Sequence, residues 1–143
     1  MPLHAKELQA GQEFSAVVVE DLKRTQIVQY AGASGDYNPL HSDEVFTTKV
    51  AGYPSVFAHG MLSMGFVAQC VTDWAGPAAV RKLGVRFAAI VRLKDVITCR
   101  GRVLSKSSKD DTHLVELEIW AENQRAEKVV TGKATVALPS RDG

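Results

Sequence analysis

Two side chains capable of acid–base chemistry lie close together in the first third of the chain. Asp36 and His41 are five residues apart at the end of the segment YAGASGDYNPLH, which runs from Tyr30 to His41. Pro39 fixes its own φ and pushes Asn38 out of the α region, so the turn between them is stiff. A carboxylate and an imidazole held on such a turn can act together on one water or one small substrate. This segment alone leaves two interpretations open. Asp36 and His41 form a catalytic pair on a loop that Asn38 fixes, or Asp36 and Asn38 are ordinary turn formers and His41 is a loop or core histidine.

A second segment of similar interest, FAHGML from Phe57 to Leu62, opens the most apolar stretch of the chain. Together the two segments resemble the MaoC-like, (R)-specific enoyl-CoA hydratase family. The signature of that family runs Gly-Asp-x-Asn-Pro-[aliphatic]-His, followed by His-Gly-Met at the start of a central helix. The matching residues are Gly35, Asp36, Asn38, Pro39, Leu40 and His41 in the first element, and His59, Gly60 and Met61, after Ala58, in the second. The resemblance implies reversible hydration of trans-2-enoyl thioesters to (R)-3-hydroxyacyl thioesters.

The same resemblance implies a role for each site residue. Asp36 and His41 would activate a water; which of them takes its proton stays open, because a coupled carboxylate and imidazole titrate as a unit. The backbone N–H of Gly60 would stabilise the negative charge on the thioester oxygen, since the first N–H groups of a helix have no intrahelical partner. The N–H of Met61 is the alternative donor. We expect His59 and Tyr37 to line the pocket or to set the geometry of the helix start.

A metal centre is the competing interpretation of these side chains. Asp36, His41, Asp43 and His59 all carry possible ligand atoms. However, no two histidines have the i, i+4 spacing of a helical metal site, and the segment has no thiolate. We expect neither a metal nor any other cofactor.

The pattern of apolar residues predicts the elements that position these groups. We expect a strand over Glu13–Val19, a helix over Thr25–Ala33 capped by Thr25 or Asp21, and a helix over Gly60–Trp74 that is buried nearly all round. Beyond residue 80 the apolar period becomes two, which predicts half-buried antiparallel strands. The inward-facing residues would be Leu83, Val85 and Phe87; Ile97, Cys99, Gly101 and Val103; Val115, Leu117 and Ile119; and Val130, Ala134, Val136 and Leu138.

One buried helix followed by half-buried strands predicts an α+β fold with one domain over residues 1–143. Polar segments at Lys106–Asp111 and Glu122–Arg125 are typical of hairpin turns. The family resemblance implies the hot-dog fold, in which a curved antiparallel sheet wraps a long central helix. It also implies that a free sheet edge joins a second subunit, so we expect a homodimer, or a heterodimer with a related hot-dog subunit.

Composition excludes several other classes of protein. The 17 Lys and Arg nearly balance the 16 Asp and Glu, so there is no basic excess to bind nucleic acid or an anionic membrane. No apolar run approaches the ~18 residues of a membrane span, and the first residues do not have the order of a signal peptide. We therefore expect a cytoplasmic protein whose two cysteines, Cys70 and Cys99, are reduced and buried.

Two further functions remain open alternatives. One is the catalytic subunit of a heteromeric 3-hydroxyacyl-ACP dehydratase of fatty-acid elongation, with acyl carrier protein in place of coenzyme A; the segments HSDEV, FAHGMLSMG and VTDWAG resemble such a chain. The other is a hot-dog thioesterase or a non-catalytic acyl-binding subunit. Asp36 and His41 argue against the non-catalytic form, since a binding subunit does not need them.

Overall fold

The fold is an antiparallel sheet packed on one long helix, in a computed structural model that describes residues 3–109 and 112–139. The helices are α1 (Arg24–Ser34) and α2 (Gly60–Ala75), and short helical turns cover Ala5–Glu7, Pro39–His41, Phe46–Val50 and Pro77–Ala79. The strands are β1 (Glu13–Val19), β2 (Val80–Phe87), β3 (Ile97–Lys109), β4 (Thr112–Glu122) and β5 (Lys128–Leu138). Within the described residues they form one sheet in the order β1-β3-β4-β5-β2, so β1 and β2 are its edges. The predicted α+β class is confirmed.

Helix α2 is the centre of the core and contacts every strand of the sheet. It begins at Gly60, as predicted, and ends at Gly76, whose φ of 89° breaks the helical path. The expectation that α2 is buried nearly all round is wrong. Its buried residues face the sheet, whereas Met61 is 57% exposed on the side that nothing in the described chain covers. Neither α2 nor any other described helix is both long and apolar enough to cross a membrane.

The predicted alternation of the strands holds at the centre of the sheet and fails at its edge. The predicted inward-facing residues of β3, β4 and β5 are buried. Phe87, at the end of edge strand β2, is instead 50% exposed. An edge strand has a neighbour on one side only, and here the Phe87 ring lies over the first turn of α2.

The hairpin between β3 and β4 is tighter than predicted. Strand β3 continues to Lys109, which pairs with Thr112 of β4, so most of the polar segment Lys106–Asp111 is strand. Asp110 and Asp111 lie outside the described residues. Polar residues at an exposed strand end cannot be told from a turn by composition alone, because neither contributes to the core.

Helix α1 leads directly into the loop that carries the predicted catalytic pair. It starts one residue before the predicted Thr25, so Lys23 takes the N-cap position with no side-chain cap, and the predicted cap at Thr25 or Asp21 is wrong. At the other end Gly35 has a φ of 75°, and its N–H donates to the carbonyl of Ala31. This left-handed glycine ends α1 immediately before Asp36.

Two contacts fix the far end of α2 on the sheet. The rings of Phe14 on β1 and Trp74 on α2 stack with centroids 4.1 Å apart. Gly101 on β3 is required beneath Phe14, because a Cβ there would lie 2.2 Å from the ring.

Cys70 and Cys99 are free and buried, as predicted, and burial raises the pKa of the Cys99 thiol to about 12.

Candidate active site

The loop after α1 is fixed by its own side chains. The Asp36 carboxylate accepts from the Asn38 N–H at 3.2 Å, and the Asn38 side chain accepts from the Leu40 N–H at 3.0 Å. Pro39 then opens a single helical turn that ends at His41. Each Asx hydrogen bond replaces a backbone partner that the short turn cannot supply. Asn38 therefore stabilises the loop and is not one of the three side chains, Asp36, His41 and His59, that come together at the site.

His41 is buried, with 8% of its surface exposed, and its ring is oriented by one hydrogen bond. Nδ1 lies 2.7 Å from the carbonyl oxygen of Phe57. A carbonyl only accepts, so Nδ1 carries the proton and Nε2 keeps its lone pair in the neutral ring. Burial lowers the pKa of His41, with a smaller contribution from His59; the Phe57 carbonyl and Asp36 act in the opposite direction. Burial thus favours the uncharged ring of His41, whose Nε2 has no hydrogen-bond partner among the residues that the structure describes.

The extended segment just before α2, at Phe57 and Ala58, brings His59 against His41. The N–H of Phe57 donates to the Leu40 carbonyl at 3.4 Å, and the N–H of Ala58 donates to the Val91 carbonyl at 2.9 Å. This segment delivers His59 to the N-cap of α2, where its ring stacks on His41 with centroids 3.8 Å apart and an interplanar angle of 25°.

His59 also contacts the loop of the predicted acid. Its Nε2 lies 3.1 Å from the backbone carbonyl oxygen of Asp36, and the Tyr30 ring of α1 covers its ring at 4.8 Å between centroids. Only 1% of His59 is exposed, and its Nδ1 has no hydrogen-bond partner among the described residues. His59 therefore connects α1, the loop and the start of α2.

One side-chain atom from each of Asp36, His41 and His59 lies within 4.8 Å of the others. Asp36 is exposed whereas the two histidines are buried. Asp43, the fourth candidate ligand of the metal interpretation, is outside this group and accepts from the Phe46 N–H. One nitrogen of each histidine faces a backbone carbonyl. The carboxylate and the two imidazoles of the cluster are of the types that exchange protons with a bound water.

The N-terminus of α2 adjoins this cluster. The N–H groups of Gly60 and Met61 find no acceptor among the described residues, as expected for the first turn of a helix. A cavity of about 300 Å³ opens beside Gly60, lined mainly by apolar residues: Phe57, Ala58, Ser63, Phe87, Ala88, Ala89, Ile90 and Val91. N–H groups that no described residue accepts from thus lie next to an apolar pocket.

Besides Asn38, the side chains of two predicted site residues lie outside the cluster. Tyr37 is 71% exposed and the side chain of Met61 is 57% exposed. Conversely, sequence reasoning missed the Phe57 carbonyl and the Phe87 ring. The position of Phe57 two residues before His59 was visible, but its pairing with His41 is a contact across 16 residues that only the fold reveals.

The antiparallel sheet packed around α2 is a hot-dog fold. The solved R-hydratase PhaJ1 from Pseudomonas aeruginosa has the same fold, with a TM-score of 0.83 and 27% identity over 95% of this chain and 85% of that one. The model of the MaoC like domain matches residues 6–124. The chain therefore belongs to the MaoC-like family.

Two relatives with named activities align over most of this chain. The (R)-specific enoyl-CoA hydratase of Rhodospirillum rubrum is 30% identical over 140 residues, which cover 95% of this chain and 92% of that protein. The beta subunit of the 3-oxo-4,17-pregnadiene-20-carboxyl-CoA hydratase of Mycobacterium tuberculosis is 29% identical over 119 residues, covering 82% of this chain and 86% of that protein.

Proposed function

We propose that this protein is a hydro-lyase that reversibly hydrates trans-2-enoyl thioesters to (R)-3-hydroxyacyl thioesters. The observation that carries the proposal is the neutral His41, whose Nδ1 is bound to the Phe57 carbonyl, within 4.8 Å of the Asp36 carboxylate. Such a pair can hold and deprotonate one water. Family membership and the two hydratase relatives support the same reaction.

In the hydration direction, the water binds between Asp36 and His41. The Asp36 carboxylate accepts one hydrogen bond from the water and orients it, while Nε2 of His41 takes the other proton. The water oxygen bonds to C3, and the electron pair of the C2–C3 double bond moves toward the thioester carbonyl. The products of this step are an enolate-like thioester and a protonated His41.

The second step returns the proton to carbon. The His41 imidazolium donates to C2, the electron pair of the enolate re-forms the carbonyl, and both catalytic groups regain their starting charge. Because one residue takes and returns the proton from one side, the C3–O and C2–H bonds form on the same face of the substrate. Asp36 stabilises the transient imidazolium throughout.

The N–H of Gly60 is the proposed donor to the thioester oxygen. It lies at the positive end of the α2 dipole, and none of the described residues accepts from it, so it needs no conformational change. A donor aimed at developing charge contributes ~2.7–4 kcal/mol to transition-state stabilisation. The apolar cavity beside Gly60 would take the acyl chain.

The direct test is hydration of crotonyl-CoA by the purified chain. The ultraviolet absorbance of the conjugated enoyl thioester should fall without release of free thiol. Thiol release at a matching rate would instead indicate a thioesterase. Comparing crotonyl-CoA with crotonyl-ACP would distinguish a coenzyme A enzyme from a dehydratase subunit of fatty-acid elongation.

We further propose that the chain works as a dimer. Strands β1 and β2 are sheet edges, and large apolar side chains are exposed around the site: Tyr37, Val45, Val50, Met61 and Phe87. A second hot-dog subunit would cover them and extend the sheet. Light scattering should give about twice the 15.5 kDa chain mass for a homodimer. A monodisperse monomer at micromolar concentration would contradict the homodimer and favour a different, related partner.

A further inference from the structure

We propose that His59 is a positioning residue of the hydration reaction, which fixes Asp36 through its backbone carbonyl and His41 through ring stacking. This role rests on the proposed function and adds a residue to it. His59 is only 1% exposed, so it acts through its two neighbours and not on the substrate. The proposal assigns one buried side chain to the geometry of both reacting groups.

The first contact sets the position of the acid. His59 Nε2 faces the Asp36 carbonyl at 3.1 Å, which requires the proton on Nε2 because the carbonyl only accepts. The Asp36 carboxylate is on an exposed loop, and within that loop it accepts a hydrogen bond from the Asn38 N–H. The contact with His59 therefore ties the Asp36 end of this loop to the buried start of α2, as the contacts of Leu40 and His41 with Phe57 tie its other end.

The second contact sets the orientation and charge of the base. The His59 ring lies on the face of the His41 ring at 3.8 Å, which together with the Phe57 carbonyl leaves His41 one orientation. A proton added to His41 would place positive charge against a second imidazole. The other titratable groups facing this pair are Asp36 on the loop and Tyr30 on α1. Repulsion from His59 accordingly adds to burial in lowering the pKa of His41.

Two substitutions separate the two contacts. His59→Gln keeps an N–H that can reach the Asp36 carbonyl but removes the ring. His59→Phe keeps the stacked ring but removes the donor. Both variants remove the imidazole that acts together with burial to lower the pKa of His41. His113→Gln, on β4 and outside the cluster, is the matched control for loss of a histidine.

The expected results differ between the variants. His59→Phe should lower kcat by about 10–100-fold with KM unchanged, because Asp36 is misplaced but the substrate pocket is intact. His59→Gln should retain more of kcat. In both variants the acid limb of kcat/KM should move to higher pH, since His41 is protonated more easily, whereas His113→Gln should match the wild type. A purely structural role would lower the melting temperature and leave the acid limb unmoved.

A measurement on the unsubstituted protein needs neither activity nor folding of a variant. The chain has four histidines, so 15N imidazole shifts can be assigned to each. We expect the proton of neutral His41 on Nδ1 and that of His59 on Nε2. A His59 proton on Nδ1, or wild-type kcat and pH profile in both folded His59 variants, would overturn the proposal. The predicted tautomers in a chain without hydratase activity would overturn the proposed function and leave the two contacts standing.

Discussion

The role of the Gly60 N–H can be isolated by comparing Gly60→Ala with Gly60→Pro. Both substitutions add a Cβ, but only proline removes the N–H. Gly60 is the first residue of α2, and its φ lies outside the left-handed region, so both alanine and proline fit its backbone. His59 before it has φ −59° and ψ 140°, the extended conformation that a residue preceding proline adopts. Proline is favoured at the first helical position and there removes an N–H that no helix carbonyl accepts.

The energetic cost of the shared Cβ is set by Phe87. A Cβ at Gly60 would lie 3.1–3.3 Å from three carbons of the Phe87 ring, so the ring must shift by a few tenths of an ångström. Because Phe87 is 50% exposed, it can move outward. Replacing glycine by alanine gains up to ~1 kcal/mol in a helix interior. The gain is smaller at the first helical position, where it offsets part of the tight contact. We therefore expect Gly60→Ala to change the free energy of unfolding by less than about 1 kcal/mol.

The two variants should then separate in activity. Gly60→Pro should lose about 10²–10³-fold in kcat relative to Gly60→Ala, the effect of one donor to an oxyanion. The assay is crotonyl-CoA hydration at saturating substrate, with native-like circular dichroism required of both. Repeating the pair in a Phe87→Ala background removes the shared contact as a cause. Equal kcat in the two folded variants would refute the Gly60 assignment and direct attention to the N–H of Met61.

Three further predictions concern the acid–base pair. Asp36→Asn should lower kcat by about 10²–10⁴-fold, because the charge that orients the water and stabilises the imidazolium is lost. The melting temperature should change little, because an amide oxygen can still accept from the Asn38 N–H. Retention of more than about a tenth of the activity would contradict this role of the carboxylate. His41→Ala should lose a similar amount, and the double variant little more than either single one, since both groups hold one water; additive losses would indicate separate roles. Burial lowers the pKa of His41 below its ordinary 6.5, so kcat/KM should stay on its plateau as the pH falls below 6.5; an acid limb above pH 6.5 would contradict the neutral base. The free energy of unfolding should fall as the pH drops through 6.5, since the unfolded chain then binds a proton that the native His41 does not.

Much of this site was predictable because its geometry is local. Gly35, Asn38 and Pro39 each impose a backbone conformation on their own turn, so a rigid loop with Asp36 and His41 at its ends follows from the sequence alone. The start of α2 at Gly60 was likewise predictable, from the change to a nearly continuous apolar pattern.

The remaining features depend on contacts between distant segments. The Phe57 carbonyl reaches His41 and the Asp36 carbonyl reaches His59 across 16 and 23 residues, and no periodicity encodes either pair. Phe87 was assigned to the interior because the strand period places it with Val85, but the edge position of β2 leaves its ring exposed. The period of the apolar pattern indicates which face of a strand a residue occupies, whereas the exposure of its side chain also depends on what covers that face.

The fate of the water oxygen tests the central claim most directly. With crotonyl-CoA in 18O-labelled water, we predict a product that is (R)-3-hydroxybutyryl-CoA, carries the label at C3 and keeps its thioester. The Asp36→Asn protein, treated in the same way, should form this product about 10²–10⁴-fold more slowly. Label in a free carboxylate together with released coenzyme A, or a racemic product formed as fast by the Asp36→Asn protein, would contradict hydration by a water held between Asp36 and His41.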